Sequence, residues 1–444
     1  MTVPDSNGHY AISTTDQDRA VLVGIDRPRD GGWDLEEDLA ELERLTDTAG
    51  ARVVGTITQR LERPNPRTFI GPGKVEEVAS LARDCDANLV LFDEELTPSQ
   101  QANLEKLLRE VRVIDRTALI LEIFALHATS REGKLQVELA RMEYLLPRLR
   151  GLWGHLERER LGGGRGARFG AGESQLETDR RLARRRVSEL KRELKHVAQN
   201  RETQRHSRAQ SGLFRLSLVG YTNAGKSTLL NALTDAGVLV EDKLFATLDA
   251  TTRRLELPEG RVVTLTDTVG FINKLPHGLI EAFKSTLDEI LDADLQLHVV
   301  DASHSKAGSH IAAVNEVLDE IGAAGRPSVV VYNKCDALDA ASRARIQASA
   351  PNAVLISATT GIGLDALMDR IAAEAARGER ALTVLVPYTR GDLVRLAHER
   401  GRIISEEHTA AGTLLTARLP VAVAAQFASL EAEQEPVSEP ETGH

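Results

Sequence analysis

A chain of 444 residues is longer than one ordinary hydrophobic core organises, so two to four packed units are expected. With 42% hydrophobic and 27% charged residues and no uninterrupted apolar stretch of membrane-span length, the composition excludes an integral membrane protein and predicts a soluble, cytoplasmic one. A net charge of −11 argues against a nucleic-acid partner for the chain as a whole, but the basic residues are clustered rather than spread.

The opening MTVPDSNGHYAISTTDQD has neither a basic start nor an apolar run, so it does not read as a secretory signal. Residues 1–18 are expected to be a disordered polar tail. From 19 to 128, the apolar runs VLVGI, RVVGTI, NLVLFD and VRVID alternate with helical patterns at 35–45, 75–81 and 100–108. That alternation predicts an N-terminal parallel α/β domain. Within it, GPGK at 71–74 is half of a phosphate-loop pattern and reads as a glycine turn capping a helix that begins at Val75. The cysteines, Cys85 and Cys335, are too few for a disulfide scaffold or a zinc site.

Between 129 and 210 the period changes to long helices. Leu135, Leu139, Met142, Leu146 and Leu149 form one apolar seam; Leu176, Ala183, Val187, Leu190, Leu194 and Val197 form another. The segment GGGRGARFGAGES (162–174) has no apolar period, so a two-helix antiparallel arm with an exposed tip loop is expected. Arg158, Arg160, Arg165, Arg168, Arg180, Arg181, Arg184, Arg185, Arg186, Lys191, Arg192 and Lys195 concentrate positive charge along the second helix and its loop. Such a stripe neutralises phosphates, and a solvated helix face would look similar. Phe169 is the only aromatic residue at the tip, so base stacking contributes little.

Residues 211–378 alternate strand and helix again, a second α/β domain, and 379–430 read as a small C-terminal α+β domain with the runs TVLVPY and TLLTARLP around a helix at 392–397. Residues 431–444 are expected to be a solvated acidic tail.

The second α/β domain carries the chemistry. FRLSLVG runs into GYTNAGKS and then a helical TLLNAL, so Gly220, Gly225, Lys226 and Ser227 fill G-x-x-x-x-G-K-[ST] between a strand and a helix. Backbone amides of Gly220, Tyr221, Thr222, Asn223, Ala224, Gly225, Lys226, Ser227 and Thr228 would curve round phosphates. Lys226 would reach the β and γ phosphates, and Ser227 Oγ would bind Mg²⁺. A phosphate loop does not name the base. VVVYNKCD, with Asn333, Lys334, Cys335 and Asp336, resembles the guanine-specificity motif of translation-factor and Ras-like GTPases. The resemblance implies that the Asp336 carboxylate pairs with the guanine NH and amino groups, which adenine lacks. VLISATTG supplies the matching Ser357, Ala358 and Thr359.

Between these lie TLTDTVGF (Asp267, Thr268, Val269, Gly270) and the threonine-rich FATLDATTR (Phe245, Ala246, Thr247, Leu248, Asp249), which together look like two switches. By that resemblance Thr247 coordinates Mg²⁺, Asp267 acts through a metal-bound water, and the Gly270 amide meets the γ phosphate; Lys226, Thr247 and Gly270 are the catalytic candidates. Thr251 and Thr252 compete with Thr247 for the metal. Phe271 stands where many small GTPases carry a water-orienting glutamine, which predicts slow hydrolysis until a partner completes the site. Asn223 stands where similar GTPases hold K⁺, and it is equally an ordinary turn residue.

With NPRTFIGPGKVEEVA, FDEELTPSQQANLE, VIDRTALILEIFALHATSREGKLQVELARMEYLLPRL and ESQLETDRR in this order ahead of GYTNAGKSTLLNAL, FATLDATTR, DTVGFI and NKCD, nearly the whole chain resembles the HflX family of bacterial GTPases. The resemblance implies association with the large ribosomal subunit and its rRNA through the basic arm, and a role in splitting or rescuing ribosomes under stress. A GTPase of ribosome assembly is the alternative. The tip loop departs from the form expected before QLETDRR, which leaves the ribosome contact open. No long exposed apolar face calls for a dimer, so a monomer is expected.

Overall fold

The computed structural model describes residues 18–26, 34–109, 111–148, 171–210, 213–234, 244–274, 276, 278–279 and 283–432, except the side chains of 171–179, 200–210, 284–286, 422 and 431–432. Apart from Asp18 and residues 431–432, the two expected tails lie outside the described residues, as do Leu149 of the seam, Arg158, Arg160, Arg165, Arg168, Phe169 and the Leu176 side chain. Asp18 is buried and paired with Arg112, and residues 431–432 end a short helix (Ala428–Ala432), so the fold reaches slightly into both expected tails. The architecture is multidomain α/β with three sheets.

The first sheet has the order β2-β1-β3-β4, from β1 (Arg19–Asp26), β2 (Arg52–Arg60), β3 (Leu89–Phe92) and β4 (Arg112–Asp115), all parallel. β1 and β3 read as unbroken apolar runs because helices cover both faces. Those helices are α1 (Leu35–Thr48), α2 (Pro72–Asp84), α3 (Pro98–Leu108) and α4 (Arg116–His127). α1 starts where the Asp34 side chain accepts from Glu37 N, and α3 starts at a Thr97/Gln100 capping box followed by a proline. α2 begins at Pro72, three residues earlier than the Val75 expectation, because a proline at N1 needs no donor there. α4 has no counterpart in the sequence reading. Its first nine residues are all buried, so it shows no amphipathic period to detect.

α5 (Arg131–Leu145) and α6 (Ala171–Gln210) form the arm. Leu135 and Leu139 pack on Leu190, with Met142, Val187, Leu194 and Val197 against them; Tyr144 and Leu145 are the buried residues at the end of α5, and Leu146 is only half-buried. α6 begins at Ala171, inside the segment expected as loop.

The second sheet has the order β10-β9-β8-β5-β7-β6. It comprises β5 (Arg215–Gly220), β6 (Thr251–Glu256), β7 (Val262–Asp267), β8 (Leu295–Asp301), β9 (Ser328–Asn333) and β10 (Val354–Leu355); β6 alone is antiparallel, paired with β7. Its helices are α7 (Lys226–Thr234), α8 (Lys284–Leu291), α9 (Ala307–Glu320), α10 (Ala340–Ser349) and α11 (Leu364–Arg377). The third sheet is antiparallel, β11-β13-β12, from β11 (Glu379–Val386), β12 (Arg402–Thr409) and β13 (Gly412–Pro420), with α12 (Gly391–Arg400) packed on it. β12 was not expected; RIISEEHT is an exposed edge strand with little apolar content to signal it.

One apolar core runs from the first sheet into the second: Leu42 and Leu45 of α1 and Ile120 and Phe124 of α4 share a cluster with Tyr221, Phe245, Phe271 and Phe283. The Phe124 ring meets both Phe245 and Phe283 edge-on at 4.8 Å. The N-terminal unit therefore sits directly on the loops that follow β5 and β7.

Candidate nucleotide-binding site

β5 ends at Gly220 and α7 starts at Lys226, so the loop between them delivers its backbone amides to the helix N-terminus, where an anion is favoured. Gly225 has φ +91, and a Cβ there would lie 2.2 Å from Asn333 Nδ2, so the close approach of the two loops requires glycine. Asn223 is exposed with φ +60, a left-handed conformation that asparagine tolerates. The Lys226 side chain lies back over the loop, donating to the Tyr221 carbonyl (2.9 Å) and the Gly220 carbonyl (3.2 Å). Burial pushes its ammonium down to about 8, opposed by the charge of Asp267.

Across a cleft lined by Thr222, Lys226, Ser227, Ala246, Thr247 and Gly270, three oxygen-bearing side chains converge. Ser227 Oγ donates to Asp267 Oδ2 at 2.6 Å and lies 2.9 Å from Thr247 Oγ1, which donates to the same carboxylate oxygen at 3.3 Å. Asp267 is fully buried; burial raises its pKa against the opposing pull of Lys226, Ser227 and Thr247, and its Oδ1 is buried with no hydrogen-bond partner. Thr222 Oγ1 is a second buried oxygen with none. Of the three competing threonines it is Thr247 that meets Ser227. Thr251 and Thr252 belong to β6, where Thr252 Oγ1 pairs with Thr266 Oγ1 at 2.9 Å. Thr268 Oγ1 donates to the Leu218 carbonyl and so ties β7 to β5.

The NKCD segment is bolted to this loop. Asn333 Nδ2 donates to the Ala224 carbonyl at 2.9 Å while its Oδ1 accepts from Ala358 N at 3.0 Å. Lys334 takes a left-handed conformation (φ +61) and its Nζ pairs with Asp301 at 2.7 Å. The Asp301 carboxyl is below its usual range: burial acts to raise it, and hydrogen bonds from Lys334 and Ser303 outweigh that. Cys335 is buried, donating its backbone N–H to the Ile356 carbonyl, and Asp336 is exposed at the rim. Ser357 and Ala358 are buried beside it and Thr359 is exposed.

Several expected site residues have side chains engaged elsewhere, so any contribution of theirs to a nucleotide falls to the backbone. Leu248 and Val269 lie in the shared core. Tyr221 stacks on His310 at 4.0 Å, and its hydroxyl donates to Glu41 of α1 while accepting from Asn273 N at 2.7 Å. Phe271, in the glutamine position, is 1% exposed: its backbone N–H donates to the Gly220 carbonyl and its carbonyl accepts from Thr222 N, with the ring in the core rather than in the cleft. Asp249 is held by Thr129 and Ser130. Burial acts to raise its pKa, and the hydrogen bonds from Ser130 and Thr129 bring it below the usual carboxylate range.

The residues after Phe271 meet a buried ionic network of the N-terminal unit, which the sequence reading did not anticipate. Arg116 of α4, 2% exposed, pairs with Glu41 and Asp93 and donates to the Asn273 carbonyl. Lys274 pairs with Asp38 (2.8 Å), Asp93 and Glu94 (3.1 Å). Buried charges recur only when paired, but the partners are far apart in sequence and no local signal joins them.

A phosphate loop at the end of a central parallel strand, a paired-hydroxyl and carboxylate cluster, and an NKCD loop tied to the phosphate loop define a P-loop GTPase, an enzyme that hydrolyses GTP. Residues 36–125 match the family described as GTP-binding GTPase N-terminal, residues 127–208 the GTP-binding GTPase middle region, and residues 215–334 the 50S ribosome-binding GTPase family. The chain is 47% identical over 406 residues to the GTPase HflX of Caldanaerobacter subterraneus, covering 91% of each, and 47% identical over 366 residues to that of Escherichia coli, covering 81% of this chain and 84% of the other. It belongs to the HflX family of GTPases. A solved GTP-binding protein of Sulfolobus solfataricus in complex with GDP is 26% identical, covers 81% of this chain and 99% of its own, and has a TM-score of 0.43. Among the described residues no helix is long and apolar enough to cross a membrane.

Proposed function

We propose that this GTPase acts in the cytoplasm on the large ribosomal subunit, docking when GTP orders its switches, separating the subunits of stalled ribosomes under stress, and leaving after hydrolysis. The observation that carries the reading is the match of residues 215–334 to the 50S ribosome-binding GTPase family in a chain that also bears a basic helical arm. Part of the arm's basic stripe is consumed internally: Arg186 pairs with Glu138 at 2.8 Å, Lys191 with Glu143 at 2.8 Å and Arg185 with Glu189 at 3.1 Å. Arg181, Arg184, Arg192 and Lys195 are exposed, and these four are the proposed contacts to rRNA phosphates.

In the nucleotide cycle, Lys226 would swing from the loop carbonyls to the β and γ phosphates, and the Gly270 amide would donate to the γ phosphate. The orphaned Asp267 Oδ1 and the clustered Ser227 and Thr247 hydroxyls fit a small hard cation that takes oxygen ligands, so Ser227 and Thr247 would hold Mg²⁺ directly and Asp267 through water. Bound there, Mg²⁺ supplies charge neutralisation at the β and γ oxygens. Asp336 would read guanine, supported by Ser357 and Ala358. With the Phe271 ring in the core, the chain supplies no glutamine to orient the attacking water at that position, so hydrolysis by the protein alone is slow and a partner accelerates it. Asn223, on the rim of the cleft, would face a K⁺ ion; equal rates in Na⁺ and K⁺ would remove that role.

Sedimentation with intact ribosomes and with separated subunits, in a non-hydrolysable GTP analogue, in GDP and without nucleotide, tests the reading. Analogue-dependent binding to the large subunit with conversion of intact ribosomes to subunits is expected. Binding confined to immature particles would replace splitting with assembly. Lys226→Ala should abolish both analogue binding and ribosome association.

A further inference from the structure

The junction between α4 and α5, at the root of the arm, grips the Thr247 loop. The Asp249 carboxylate accepts four hydrogen bonds from two adjacent residues: Oδ2 from Thr129 N (2.9 Å), Thr129 Oγ1 (2.7 Å) and Ser130 N (2.7 Å), and Oδ1 from Ser130 Oγ (2.5 Å). Ser130 is also the N-cap of α5, its Oγ accepting from Gly133 N at 2.8 Å. The carboxylate thus lies at a helix N-terminus, whose dipole favours it. A Cβ on Gly133 would lie 2.5 Å from Asp249 Oδ1, so an added methyl would push the carboxylate from its place.

Asp249 is two residues from Thr247, a span of at most about 7 Å, and the intervening Leu248 is buried in the shared core. At the other end of the same segment Phe245 packs edge-on against Phe124. The loop is held on both sides of Thr247 by α4 and the α4–α5 junction, with Thr247 Oγ1 2.9 Å from Ser227 Oγ. α5 in turn carries α6 through Leu135, Leu139 and Leu190 and the Arg186–Glu138 pair.

We infer that Thr129 and Ser130 are positioning residues for GTP hydrolysis: by clamping Asp249 they hold Thr247 beside Ser227 and Asp267, and they couple the arm to the state of the nucleotide. The inference rests on the proposed role of Thr247 in the GTP-bound site. Because coupling between two sites is reciprocal, RNA that fixes the arm would also favour the Thr247 loop in its GTP-binding position.

The test is the full chain carrying Thr129→Val with Ser130→Ala, and separately Gly133→Ala, which keeps both hydroxyls and crowds the carboxylate. Affinities for a non-hydrolysable GTP analogue and for GDP, kcat, and melting temperature are measured. The expected result is an analogue affinity and a kcat each lower by about tenfold with GDP affinity within about twofold of the unaltered protein, and near-unaltered values for Ser130→Thr alone, which keeps the hydroxyl. Equal losses for GTP analogue and GDP, or a lower melting temperature with an unchanged ratio between them, would overturn the inference and leave Thr129 and Ser130 as helix caps alone. Mg²⁺-dependent hydrolysis by the unaltered protein separately decides the reading of the nucleotide site itself.

Discussion

Replacing Asn333 with alanine should disable the nucleotide site by cutting the bridge between its two loops. Its amide is 2% exposed and bridges the Ala224 carbonyl at 2.9 Å and the Ala358 amide at 3.0 Å, so truncation orphans one buried acceptor and one buried donor. A buried polar group left without a partner costs about 1–3 kcal/mol, so the two together cost about 2–6 kcal/mol if no water replaces the side chain. Gly225 lies directly above the amide, so the loss is felt by the phosphate loop itself. At about 1.4 kcal/mol per factor of ten, the lower bound alone corresponds to a loss of roughly 30-fold in nucleotide affinity. Fluorescent GDP titration reads the affinity, and a thermal melt without nucleotide reads how much of the cost falls on the fold. GDP affinity within threefold of the unaltered protein, together with an unshifted melt, would refute the claim that this bridge aligns the two loops.

Asp336→Asn should move base preference from guanine toward xanthine while leaving the melt unchanged, because Asp336 is exposed; competition between GTP and XTP checks this. Lys274→Ala should destabilise the contact between the N-terminal unit and the loop after Phe271 by about 3–5 kcal/mol, since it removes a cation shared by the buried Asp38 and Asp93. Its signature is faster proteolysis around residues 272–274, and an unchanged cleavage rate would show that Arg116 suffices. His298 of β8, 5% exposed, is held down to about 4 by burial and then by the charge of Lys226. The unfolded chain therefore binds a proton between pH 6.5 and 4 that the folded chain does not, and stability falls as pH drops through that window by about 1.4 kcal/mol per unit. His298→Gln should flatten the fall in melting temperature between pH 7 and 5; an equally steep fall in the variant would assign the acid sensitivity elsewhere.

The chemistry of the site was legible because it is written in short local patterns. GYTNAGKS between a strand and a helix, DTVG at a strand end and NKCD after a buried strand each carry their own backbone context, and strands β1, β3, β5 and β9 announce themselves as apolar runs. α4 and β12 were missed for opposite reasons: one is buried along most of its length and so has no period, the other is an exposed edge with little apolar content. The family resemblance alone places Thr247 ahead of Thr251 and Thr252, and the coordinates add the physical reason, since of the three it is Thr247 that reaches Ser227.

The sequence by itself determined the alternation of strands and helices around the apolar runs, the phosphate loop, the NKCD loop and the basic arm, because helix periods, glycine turns and charge clusters are properties of neighbouring residues. Only the tertiary structure decided that Glu41, Arg116 and Asp93 would bear on Asn273 and Lys274, that Tyr221 would turn from the cleft toward Glu41, and that Asp249 would be gripped by Thr129 and Ser130. The contacts that cross between the two units join groups more than a hundred residues apart, and what brings the units together is the burial of one continuous apolar core between the two sheets, inside which a buried charge must find a partner.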